Sequence, residues 1–122
     1  MDVEKQVKEK QKSFYQGLRE SGRWYEMTLA EQLGNVGSDV DRIISWRKKG
    51  NEEYATEAFY RALDLLDLTK SDKRWHGPKL KELCRLREVL CDSFVGGELY
   101  NTPLEYFSKY FFEFALIANK NK

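Results

Sequence analysis

Apolar residues recur along four stretches of this chain at helical spacing, and no stretch alternates in the way a half-buried strand does. Leu29, Leu33, Val36, Val40 and Ile43 step by four, three, four and three, and Ile44 broadens the stripe. The spacing predicts a helix that runs to Lys49 and is closed by Gly50, with Arg47, Lys48 and Lys49 at the negative end of its dipole. Gly34 and Gly37 interrupt the pattern. Each lowers helix propensity by roughly 1 kcal/mol against alanine, so they are read as permitting close approach of a neighbouring helix, with a kink as the alternative.

Asn51 reads as the N-cap of a second helix, followed by Glu52 and Glu53 at its positive end. Ala55, Ala58, Phe59, Ala62, Leu65, Leu66 and Thr69 share its inner face, and so short a connection predicts that the two helices lie antiparallel. Pro78 suits the first turn of a third helix over 78–95, which Gly96 and Gly97 stop. Its inner face is Leu83, Leu90 and Phe94, flanked by Leu80 and Leu86. Thr102, Pro103 and Glu105 announce a fourth helix, with Leu104, Phe107, Phe111, Phe114 and Ala118 as its stripe. Looser spacing of Val3, Val7, Phe14 and Leu18 predicts a helical arm over 1–22. The expected fold is all-α: one domain spanning 1–122, with an up-down-up-down four-helix bundle over 26–119 and the arm before it. Leu33, Phe59, Leu90 and Phe111 are expected to meet in one interior.

Composition narrows the function classes. The net charge is +1, so no global field selects anionic or cationic partners, and a nucleic-acid site has to be a local patch. No apolar run approaches a membrane span, and the charged start MDVEKQVKEKQK lacks the apolar segment of a signal peptide. A cytoplasmic protein with reduced cysteines is therefore expected, with no membrane partner.

The stretch DKRWHGPKLKELCRLREVLCDSF, residues 72–94, gathers the residues that carry candidate chemistry. Lys73, Arg74, Lys79, Lys81 and Arg85 are interleaved with Trp75, a combination that can hold single-stranded nucleic acid by phosphate contacts and stacking. Glu82, Glu88 and Asp92 interrupt that patch, which favours an ordinary solvated face. Cys84 and Cys91 lie seven residues apart on one shoulder of a helix, too far to bond each other or to close a zinc site with the single histidine. His76 has no evident nucleophile or orienting partner. Arg87 projects near the centre of the apolar face, where it needs a carboxylate; Asp41 and Glu26 are the candidates. No catalytic residue, cofactor or metal is expected.

The fourth helix carries more apolar surface than one core face needs. Tyr106, Tyr110, Phe112, Leu116 and Ile117 lie on both shoulders and partly round the back. Either a second copy covers them, as in a homodimer, or the arm does through Phe14, Tyr15 and Leu18.

The run LAEQLGNVGSDVDRIISWRKKGNEEY with AFYRALDLLDLT, RW and LKELCRLREVLCD, over residues 29–92, resembles a family of small, uncharacterised prokaryotic helical proteins. At the level of the fold, the architecture is similar to the bundles of ribosomal intervening-sequence proteins and HEPN-like domains. That similarity implies an association with RNA or with oligomeric scaffolding. The arginine–histidine spacing of HEPN ribonucleases is missing around His76.

The sequence thus reads as a non-enzymatic helical interaction or scaffold protein that associates with itself or with another protein. One alternative is an RNA-binding accessory that uses the basic segment 73–85. The other is a small-ligand binder or enzyme with a polar pocket around Arg87, Asp41 and the cysteines.

Overall fold

Thr28 and Glu31 open the first long helix with a reciprocal cap. The Thr28 hydroxyl accepts from the Glu31 amide at 3.1 Å, and the Glu31 carboxylate accepts from the Thr28 amide at 3.1 Å. The Thr-x-x-Glu signature is plain in the chain. In the computed structural model, residues 16–97 and 99–120 are described. They form helices and turns with no strand: a helical segment at 16–21, a 3-10 turn at Arg23–Glu26, then α1 (Leu29–Lys48), α2 (Glu52–Lys70), α3 (Pro78–Phe94) and α4 (Leu104–Lys120). The fold is an all-α bundle. The arm residues Val3, Val7, Phe14 and Tyr15 lie outside the described residues.

Local signals place the helix ends. Lys49 closes α1, and Gly50 follows with φ +74°, the left-handed turn that lets the chain reverse. The Asn51 side chain then caps α2 by accepting from the Tyr54 amide at 3.0 Å. Arg47 clamps this corner: it pairs with Glu52 at 2.8 Å and donates to the Phe94 carbonyl at the end of α3 at 2.7 Å. Pro78 begins α3 as expected. α4 begins one residue after Pro103, and the Thr102 hydroxyl donates to the Tyr100 carbonyl.

α1 lies between α2 and α4. Gly34 faces Ala115, Gly37 faces Phe111 and Asp41 faces Ser108, so α1 and α4 run antiparallel in close contact. A Cβ built on Gly34 would sit 3.3 Å from the Ala115 Cα, and one built on Gly37 would overlap the Phe111 Cβ. On the other side, buried Ala55, Ala58 and Ala62 bring α2 against α1. Leu33, Phe59, Leu90 and Phe111 are all buried in a single core cluster. Phe59 and Phe94 stack with ring centroids 3.9 Å apart, which seats the end of α3 on α2.

A buried polar network locks the opposite end. Trp24, in the 3-10 turn, is only 2% exposed and donates from its indole to Thr69 at 3.1 Å. The Gln32 amide nitrogen donates to the Trp24 carbonyl at 2.9 Å and to Asp72 at 3.0 Å, while its oxygen accepts from the Trp75 indole at 2.7 Å. Every polar atom of the buried Gln32 side chain is thus engaged, as a low-dielectric interior demands.

Candidate functional site

Among the described residues, α4 carries most of the large apolar side chains that are exposed on a helix. Leu104, Phe107 and Phe111 are buried in the core, and Phe114 is half-buried against it. Tyr106 is 60% exposed, Phe112 59%, Leu116 52% and Ile117 49%. Tyr110 departs from this set. It is half-buried and packs edge-on against Phe111 and Phe114. Burial, followed by the nearby Glu82 carboxylate, raises its pKa. At about 100° per residue, Phe112 and Leu116 form one apolar shoulder of the outer face and Tyr106 and Ile117 the other. Exposed Lys109 and Glu113 run between them. Beside the second shoulder, a groove of about 410 Å³ opens between α3 and α4, lined among others by Arg85, Val89, Tyr100 and Tyr106.

Two residues of the basic segment, Arg74 and Trp75, are engaged within the chain. Arg74 is held by the buried Asp72, at 2.7 and 3.0 Å, and donates to the Met27 carbonyl at 2.6 Å. Trp75 is half-buried, its indole nitrogen is taken by Gln32, and the cations of Arg74 and Lys79 lie 4.6 and 5.1 Å from its ring centroid. A base stacking on that ring has to compete with both. Lys73, Lys79, Lys81 and Arg85 are exposed, and Arg85 leans over Tyr100 instead, 5.8 Å from its centroid.

Arg87 corrects one expectation. Its partner is Asp67 on α2, at 2.7 Å through Nε and 3.3 Å through Nη2, and not Asp41 or Glu26. Asp41 is exposed and accepts from Ser108 on α4 at 2.5 Å, and Glu26 is exposed in the 3-10 turn. The pair is half-buried at the α2–α3 seam, so Arg87 reaches the flank of the apolar face rather than its centre. The hydrogen bonds that Arg87 donates to the Asp67 carboxylate raise its pKa despite desolvation.

Two further carboxylates in this polar seam were not anticipated. Asp39 is buried on α1, bonded to Arg42 at 2.6 Å with Arg61 at 3.6 Å; burial still raises its pKa, against the pull of both cations. Asp64 stands one turn before Asp67 on α2. Its Oδ2 is buried without a hydrogen-bond partner among the described residues. Burial, then repulsion from Asp67, pushes its pKa up to about 6, opposed by Arg87 and Arg61. The folded state therefore binds this proton more tightly than the unfolded chain, and stability falls as pH rises from about 4 to about 6. Asp64→Asn is expected to stabilise the protein by about 1–3 kcal/mol at pH 7.5 and hardly at all near pH 4. Urea unfolding at the two pH values checks this, and an equal effect at both overturns it.

Cys84 and Cys91 are half-buried and outside any disulfide. Burial raises the Cys91 pKa even with Arg87 beside it, which makes the thiolate scarce at neutral pH. His76 is exposed in its loop. Among the described residues, no group of three or more His, Cys, Asp or Glu is placed to hold a metal ion, and no helix is long and apolar enough to cross a membrane.

Comparisons with protein-family models, curated proteins and solved structures found no match.

Proposed function

We propose that this protein is a non-enzymatic helical interaction protein that associates with itself through the outer face of α4. One observation carries the reading: Tyr106, Phe112, Leu116 and Ile117 are each about half exposed or more on a single helix. Scattered apolar side chains need no explanation, but four large ones on three turns of one helix form a surface that gains free energy when covered. The polar seam supports the same reading from the other direction. Its charges pair across helices, Arg87 on α3 with Asp67 on α2 and Arg61 on α2 with Asp39 on α1, as a scaffold holds its helices in register.

Light scattering on the full chain during gel filtration, at roughly 100 µM, is the test; micromolar dimers are populated there. The expected mass is twice that of one chain. Phe112→Asp with Leu116→Asp should return a monomer whose helical circular dichroism is unchanged, because both side chains are exposed in the single chain. A wild-type monomer throughout the concentration range defeats the proposal.

A further inference from the structure

The outer face of α4 is not one apolar patch. Lys109 and Glu113, both exposed, divide Phe112 and Leu116 from Tyr106 and Ile117. A partner that covers both shoulders also buries the charges between them, so it must supply opposite charge opposite each. A second copy of α4 does so in one arrangement.

We propose that α4 packs antiparallel against the partner's α4 about a twofold axis passing beside residues 111 and 112, with Lys109 of each chain against Glu113 of the other. The proposal rests on self-association through α4 and adds its geometry. A twofold perpendicular to both helices reverses their direction and keeps each shoulder on its own side. Mates must therefore share a shoulder and lie equally far from the axis. Tyr106 and Ile117 share one shoulder, about 20° apart in azimuth, with their midpoint between residues 111 and 112. Phe112, on the other shoulder, lies beside the axis and meets its own copy. Lys109 and Glu113, about 40° apart between the shoulders, have their midpoint at residue 111 and carry opposite signs.

Other registers fail on charge. Sliding the pairing by one helical turn sets Glu113 against the partner's Glu113 in one direction, and Lys109 against the partner's Lys109 in the other. A parallel pairing opposes like charges at both positions. Specificity then comes from what the wrong registers would bury.

The experiment uses the full-length single variants Lys109→Glu and Glu113→Lys, followed by sedimentation and native mass spectrometry. Each alone should weaken its homodimer about tenfold or more, because two attractive contacts become repulsive. Mixed in equal amounts they should form a one-to-one heterodimer of near wild-type affinity, since one chain then presents glutamate at both positions and the other lysine. The double variant K109E/E113K should dimerise like wild type with itself but not mix with wild-type chains, since like charges then meet at both positions; it stands in if a single variant loses its helical circular dichroism, and free mixing with wild type overturns the geometry. Homodimers insensitive to either charge reversal place the contact elsewhere and overturn this geometry while self-association stands. Failure of the two single variants to form heterodimer overturns it as well. A monomeric wild type removes both readings together.

Discussion

Gly37→Ala is expected to destabilise the protein by about 2–4 kcal/mol, against the direction that helix propensity predicts. In an exposed helix interior the same change gains roughly 1 kcal/mol, because alanine loses less backbone freedom than glycine on folding. At Gly37 the added methyl meets the Phe111 Cβ, the root of a buried side chain that cannot swing aside without moving α4. Relief requires separating α1 from α4 or displacing Phe111 from the core, and either loses packing where these two helices touch. Gly34→Ala is the matched control. Its methyl would lie 3.3 Å from the Ala115 Cα, tight but open to a shift of a few tenths of an ångström. Its propensity gain and packing loss should nearly cancel, leaving it within about 1 kcal/mol of wild type. Urea unfolding of the two variants checks the pair of values; equal midpoints would show that α1 and α4 do not meet at Gly37.

The second large effect is expected at Asp72, on the loop between α2 and α3. Asp72 is 4% exposed and accepts from the Arg74 guanidinium, the Arg74 amide and Gln32. Removing it in Asp72→Ala leaves a buried amide hydrogen of Gln32 unpaired and releases Arg74 from the Met27 carbonyl. The loss should reach about 2–4 kcal/mol, the range for breaking a buried charge-assisted network. The pH dependence carries its own sign. Chiefly the Arg74 hydrogen bonds hold the Asp72 carboxyl below its usual pKa, 3.8. Its contribution is therefore present above pH 4 and is lost as pH falls through the lowered folded-state value. Wild type and Asp72→Ala should converge in stability at strongly acidic pH. A difference that persists undiminished there assigns the effect to packing rather than to the charge. Asp64 acts in the opposite sense between pH 4 and 6, so the double variant Asp64→Asn with Asp72→Ala separates the two titrations.

Much of the bundle was legible in the chain. The stripe from Leu29 to Ile43, the alanine face of α2 and the aromatic stripe of α4 each name the side that turns inward, because a helix repeats its azimuth at a set interval. Leu33, Phe59, Leu90 and Phe111 meet in one core for that reason. The punctuation was equally readable in Gly50, Asn51 and Pro78, whose backbone preferences act within a few residues. The division of the α4 surface by Lys109 and Glu113 was also present in the pattern, visible once the two shoulders are drawn separately.

Partners across helices were not legible. Periodicity places Arg87 on a face of α3 but does not say which carboxylate of a neighbouring helix stands at its height; Asp67 does, and Asp41 is turned to Ser108. Trp24 follows a break with no periodic context, so only its burial and its bond to Thr69 reveal it as an anchor. Gln32, Asp39 and Asp72 look like surface residues by composition and become interior ones because partners arrive from 20 or more residues away, Asp72 and Trp75 at Gln32 and Arg61 at Asp39. By itself the sequence determined an all-helical chain and the inward face of each helix, since both follow from torsional preference and spacing along one strand of polymer. Which faces touch, which charges pair and which greasy side chains are left outside were decided only when the helices packed, because those are properties of distance in space and not of distance along the chain.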